Sequence, residues 1–276
     1  MTDPCQITAR RTTVQLAHGR ISLLEWPGTG RTVVLCHGIT SSAATMWRLG
    51  RDLAAEGWRV IALDMPGHGQ SDLSPAYDID TVANIVGDVI QSLGLAEIAL
   101  IGHSWGGATT LALLSGTHPA RTAIQQAVLI DPLVRQEAAV APSWLPQFSR
   151  GVGQPPSETL PMLREANPDW HSCDYYWKAQ ALAECRYEQV AGLFLIPEDW
   201  TLVPRIARVQ VPVLILLAEP EYTIVPPDVQ QALRAAAPPT LVQMQLISGT
   251  NHNMLRGPGY EPTYRALRAF LDASAG

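Results

Sequence analysis

Ile98-Ala99-Leu100-Ile101-Gly102-His103-Ser104-Trp105-Gly106 decides the fold. Its four leading apolar residues predict a buried strand, and the stretch from Gly107 to Leu114 predicts a helix. Between them one glycine stands two residues before Ser104 and another two residues after it. A strand that turns at once into a helix brings backbone against backbone, so a side chain at either position would collide. Ser104 is then held at the apex of a sharp turn, clear of the sheet, with a helix N-terminus aimed at the place where negative charge would develop. A bare G-x-S-x-G pentapeptide carries little information. Its place between strand and helix carries much more.

Three further segments follow the same logic of a strand running into a chemically loaded loop. Val33-Val34-Leu35-Cys36 runs into His37-Gly38-Ile39-Thr40, and Val60-Ile61-Ala62-Leu63 runs into Asp64-Met65-Pro66-Gly67-His68-Gly69-Gln70-Ser71-Asp72. Far downstream, Leu246-Ile247-Ser248-Gly249-Thr250-Asn251 ends on His252. In this order the four segments resemble the α/β-hydrolase superfamily, in its lidded, serine-nucleophile branch of esterase, haloperoxidase-like and C–C hydrolase-like members. The resemblance covers nearly the whole chain. It implies an eight-stranded, mostly parallel sheet with the nucleophile after the fifth strand. It also implies Ser104 as nucleophile, His252 as general base, and the backbone N–H groups of Ile39 and Trp105 as the oxyanion hole. A serine at the elbow, where the haloalkane dehalogenases and epoxide hydrolases carry aspartate, argues against those branches. Of the other histidines, His37 is expected to stabilise the oxyanion loop, His68 to serve its turn, and His103 to pack or hydrogen-bond locally.

The acid that orients His252 is open on the sequence. Most of the superfamily keeps an aspartate after the seventh strand in a G-x-x-D context. Here that region reads Leu217-Ala218-Glu219-Pro220-Glu221-Tyr222-Thr223-Ile224-Val225-Pro226, with no aspartate. Glu221 falls nearest the expected position, and Glu219 lies close by. The competing place is the end of the sixth strand, where Val128-Leu129-Ile130 runs into Asp131-Pro132. Some branches carry their acid there. Both strand ends open onto one edge of the sheet, so a triad is decided by geometry. Asp131 is the favoured acid and Glu221 the alternative.

Composition agrees with an enzyme of this class. A 276-residue chain that is 47% hydrophobic and 16% charged builds a large core, in one α/β unit with an insertion. A net charge of −6 without a basic cluster excludes nucleic acid as an expected partner. Lys178 is the one lysine against eighteen arginines, a ratio read as compositional bias. Neither a secretory signal at Met1–Gln6 nor an apolar run long enough for a membrane span is evident. Cys5, Cys36, Cys173 and Cys185 lack C-x-x-C spacing, which argues against a zinc site or a disulfide framework and for a reducing cytoplasm.

One stretch breaks the alternation of strands and helices. Residues 133–208 are rich in proline, show only short helical pieces such as Ser172–Val190, and hold nine of the eighteen aromatics. They are expected to form a mainly helical lid over the carboxyl ends of the strands, inserted into a core of residues 1–132 and 209–276. The resulting expectation is cleavage of an ester-type bond in a small, mainly apolar substrate through an acyl-serine, with no metal or organic cofactor. A lactone, thioester, amide, C–C bond or cofactor-free perhydrolysis would use the same groups. A ligand sensor with a retained triad is the alternative of a different class.

Overall fold

The computed structural model describes residues 5–273; positions 1–4, part of the stretch read for a secretory signal, lie outside them. The chain opens with β1 (Arg10–Leu16), β2 (Gly19–Trp26), β3 (Thr32–Cys36), α1 (Trp47–Ala55) and β4 (Arg59–Leu63). It continues through α2 (Ile79–Ser92), β5 (Ile98–His103), α3 (Trp105–Ser115) and β6 (Ile124–Ile130). Next come β7 (Arg135–Gln136), α4 (Ala141–Phe148), α5 (Pro156–Ala166), α6 (Ser172–Glu184), α7 (Tyr187–Phe194) and β8 (Trp200–Thr201). It closes with β9 (Val213–Leu217), α8 (Pro227–Ala236), β10 (Val242–Leu246) and α9 (Tyr260–Ala273).

The main sheet has eight strands in the order β1-β2-β4-β3-β5-β6-β9-β10. β2 pairs antiparallel with both β1 and β4, and every later pairing is parallel. This is the α/β-hydrolase arrangement that the sequence implied, with the serine after the fifth strand.

Its central strands are apolar on both faces because both are covered. Along β3, Val34 and Cys36 join the cluster under α2 and α3, while Val33 and Leu35 join the cluster under α1 and α9. β5, β6 and β9 alternate in the same way, as a strand period of two requires. The edge strand β10 is mostly exposed. All parallel strands end at one edge, and the loops that follow them meet there.

Helix boundaries are set by specific hydrogen bonds. α2 begins at Ile79 because the Asp78 carboxylate accepts the Thr81 N–H at 2.9 Å and caps it. The expected helix Ser172–Val190 is two helices. Cys185 is extended, and the Arg186 N–H is taken by the Gly67 carbonyl at 2.9 Å, which breaks the helical ladder.

The cysteine reading needs correction. Cys5 and Cys173 form a disulfide across 168 residues, with Cα atoms 5.1 Å apart, tying the N-terminal segment to the start of α6. Spacing along the chain held no trace of this pair, because only folding brings Cys173 at the start of α6 beside Cys5 and Trp47. Cys36 and Cys185 are buried free thiols. Among the described residues no helix is long and apolar enough to cross a membrane.

The helices between β6 and β9 pack on the body by their apolar faces. Phe194 of α7 stacks on Phe148 of α4 with ring centroids 5.0 Å apart, in one cluster with the sheet's α2–α3 side. Trp170 and Tyr175 pair within a small satellite cluster. Trp144, Tyr176 and Tyr187 remain exposed. The aromatics of this stretch therefore mostly hold it together and to the body.

Candidate active site

The elbow forms as its glycines require. A Cβ on Gly102 would lie 2.1 Å from the Gly106 carbonyl oxygen, and one on Gly106 would lie 2.2 Å from that of Cys36. Ser104 itself takes φ +55°, a left-handed conformation that a non-glycine residue adopts only at a cost. The turn is stitched to its neighbour. The Ser104 N–H donates to the Ile130 carbonyl at 2.9 Å, and its carbonyl accepts from Leu133 at 3.1 Å. The end of β6 is thus fixed against the elbow.

His252 stands between two of the expected partners. Its Nε2 lies 3.1 Å from Ser104 Oγ, and its Nδ1 lies 2.7 Å from Asp131 Oδ2. Asp131 is fully buried, also at positive φ (+42°). A lone buried carboxylate is expensive, so its partners matter. Oδ1 accepts from the Thr223 hydroxyl at 2.5 Å and the Ala218 N–H at 3.3 Å, and Oδ2 also accepts the Ile224 N–H at 3.1 Å. Burial by itself would raise the Asp131 carboxyl. The hydrogen bond and charge of His252, then the bonds from Thr223 and Ile224, outweigh it and hold the group below its usual value.

Glu221, the alternative acid, is exposed, and Glu219 turns its carboxylate to the Gly249 N–H at 2.8 Å. Neither meets His252. The β9 loop supplies donors to Asp131 instead of an acid.

The segment after β3 lies directly against the serine. A Cβ on Gly38 would lie 3.1 Å from Ser104 Cβ and 3.0 Å from His103 Nδ1, tighter than an ordinary contact, so the close approach favours glycine. Neither the Ile39 nor the Trp105 backbone N–H donates to another group among the described residues. Two buried histidines brace this segment. His37 donates from Nδ1 to the Gly38 carbonyl at 2.7 Å and accepts the Met65 N–H at 3.0 Å. His68 donates from Nδ1 to the Pro66 carbonyl at 2.8 Å and accepts the Thr40 N–H at 3.1 Å. Burial pushes both down to about 3, so each is neutral with one donor and one acceptor nitrogen. The His-Gly and Pro-Gly-His-Gly loops are locked to each other through these rings. His68 does more than serve its own turn.

His103 packs and hydrogen-bonds, as expected, but its partner is remote along the chain. Its Nε2 lies 2.8 Å from the backbone carbonyl of His252, 149 positions away, and the two rings are 4.9 Å apart. Burial and the neighbouring His252 push His103 down to about 3, so the neutral ring donates and anchors the His252 loop. Adjacency to Ser104 suggested a local bond, since nothing in the sequence marks contact with a loop so distant.

The chain belongs to the alpha/beta hydrolase family, whose sequence profile it matches over residues 33–261. It is 32% identical over 126 residues to a putative non-heme haloperoxidase of Mycobacterium phage D29, covering 45% of this chain and 44% of that protein. It is also 32% identical over 132 residues to the (E)-2-((N-methylformamido)methylene)succinate hydrolase of Acinetobacter baylyi, covering 41% of this chain and 50% of that protein. The match thus spans about half or less of these relatives' length. In fold it resembles an esterase from Exiguobacterium antarcticum, with a TM-score of 0.77 at 18% identity over 95% of this chain and 99% of that one.

Proposed function

We propose that the protein is a serine hydrolase that cleaves an ester-type bond of a small, mainly apolar substrate through an acyl-serine intermediate. The observation that supports this best is the His252 ring lying between Ser104 Oγ at 3.1 Å and the buried Asp131 carboxylate at 2.7 Å. A serine hydroxyl is a weak nucleophile until a base takes its proton. Asp131 accepts the Nδ1–H and so fixes the tautomer that leaves Nε2 free to act on Ser104. Ser104 Oγ attacks the substrate carbonyl as His252 takes the proton. The N–H groups of Ile39 and Trp105 receive the oxyanion, the second of them at the N-terminus of α3. His252 then returns the proton to the leaving group, and water, deprotonated by the same ring, clears the ester. In this reading residues 133–208 act as the lid over the carboxyl edge of the sheet.

The experiment is intact-protein mass spectrometry after treatment with an alkyl fluorophosphonate. One adduct per chain is expected on wild type, mapped to Ser104, and none on Ser104→Ala. A folded wild-type protein that stays unlabelled, or a Ser104→Ala variant that labels equally, would overturn the reading. A series of p-nitrophenyl esters of increasing acyl length then sizes the apolar pocket.

A further inference from the structure

Lys178, the chain's one lysine, extends from α6 to the segment beside the serine. Its Nζ donates to the Thr40 carbonyl at 2.6 Å and to the Thr40 hydroxyl at 2.8 Å. Thr40 directly follows Ile39 and takes φ +57°, a left-handed conformation that needs outside support in a β-branched residue. Its N–H is held by His68 and its hydroxyl donates back to the Ile39 carbonyl at 2.7 Å. Every polar group of Thr40 is therefore engaged, and the ammonium closes the set.

The helix is seated so that this contact is reproducible. Cys173, Asp174, Trp177 and Lys178 share one face of α6. Cys173 is bonded to Cys5, Asp174 accepts from Trp47 Nε1 at 3.0 Å and from the Gly257 N–H at 3.3 Å, and Trp177 Nε1 donates to the Cys5 carbonyl at 3.0 Å. A lysine on a free helix would lose much side-chain entropy to hold one geometry. Here the helix is already fixed at three points before the ammonium is placed.

The charge is uncompensated. Among the described residues no carboxylate pairs with Lys178, and the charged or titratable groups around it are Arg256, the neutral rings of His37 and His68, and the Cys185 thiol. Arg256, itself buried, donates to Ser41 Oγ at 3.1 Å and to Asn253 Oδ1 at 2.8 Å. Two cations thus stand over residues 40 and 41, and of the two only Arg256 has a carboxylate near it, that of Asp174. An unpaired buried charge is costly unless a negative charge forms near it. A developing oxyanion on the neighbouring N–H supplies one. Burial, then the charge of Arg256, lowers Lys178 to about 7.

We infer that Lys178 is a positioning residue of the oxyanion segment, through which α6 fixes the Ile39 N–H and lends positive charge to the transition state. The inference rests on the acyl-serine reading above. It concerns acylation, so its signature lies in the rate constant and not in substrate binding.

The test is stopped-flow acylation of the full-length protein by p-nitrophenyl acetate between pH 5.5 and 9, in wild type, Lys178→Met and Lys178→Arg. Loss of the charge is expected to slow acylation roughly tenfold to a hundredfold, below the loss of a direct oxyanion donor. Apparent affinity for the ester changes less than threefold. The sign with pH follows from the ammonium. Measured against Lys178→Arg, which keeps the same general base, wild-type acylation loses rate as pH rises through about 7 and the ammonium is lost. Lys178→Arg keeps most of the rate and escapes that loss, since a guanidinium stays charged. Wild-type acylation rates in Lys178→Met would overturn the inference, as would a ratio of wild-type to Lys178→Arg rates that stays constant with pH. A loss confined to affinity, or restricted to esters bearing a carboxylate, would overturn it in favour of substrate-anion binding. The arginine profile decides alone if the methionine variant fails to fold. Failure of wild type to acylate at all would sink the acyl-serine reading instead.

Discussion

The ends of β6 and β9 lie side by side on the carboxyl edge of the sheet, and they treat their acids in opposite ways. At β6, Asp131 is sealed from solvent and receives bonds from His252, Thr223, Ala218 and Ile224. At β9, Glu221 stands in solvent, and Glu219 serves the backbone of a neighbouring loop. The β9 loop still takes part, because three of the four donors to Asp131 come from it. One strand end holds the charge and the other holds the cage. What sets Asp131 apart is the convergence of donors on it, since that makes a buried carboxylate tolerable and keeps it ionised.

Substitutions along these two strand ends sharpen the contrast. Asp131→Asn is expected to lower kcat by roughly 10⁴-fold, because the amide no longer fixes the His252 tautomer. A loss below about tenfold would break the assignment. Stability follows the same carboxylate. Its folded value is depressed, so its contribution is full above the ordinary carboxylate range and is lost as pH falls through the folded value. Urea titrations of wild type and Asp131→Asn should therefore converge as the solution is acidified.

Thr223→Val removes one donor from the cage while leaving the charge. It should cost about 1 kcal/mol in the placement of Asp131, read as a three- to tenfold fall in kcat with KM nearly unchanged. Glu219→Ala frees the Gly249 N–H and should lower stability by about 1 kcal/mol in urea denaturation, with activity held within threefold. Glu221→Gln should change both kcat and stability least, within roughly twofold and 0.5 kcal/mol. A thousandfold loss there, with Asp131→Asn active, would reverse the two strand ends.

Much of this edge was legible because its signals are local. The glycines around Ser104, the apolar run before each loop and the histidine after the last strand each constrain their own neighbourhood. The choice between Asp131 and Glu221 was not local. It depends on which carboxylate the Thr223 hydroxyl and the Ile224 N–H face, and a sequence places both acids on one edge without saying which is caged. Contacts formed by folding back were less visible still. The Cys5–Cys173 bridge, the bond from His103 to the His252 carbonyl and the reach of Lys178 to Thr40 join positions 138 to 168 residues apart. A solitary lysine in an arginine-rich chain reads as compositional bias until α6 is seen to reach Thr40 in the segment after β3. The break between α6 and α7 belongs to the same class, since the Gly67 carbonyl that fixes it comes from a loop after β4.

The most direct measurement is the burst of p-nitrophenol on mixing excess p-nitrophenyl acetate with wild type and with Ser104→Ala. The account predicts a burst approaching one equivalent per chain in wild type, followed by slower steady turnover, with both phases absent from Ser104→Ala. A folded Ser104→Ala variant that releases p-nitrophenol at the wild-type rate would contradict it.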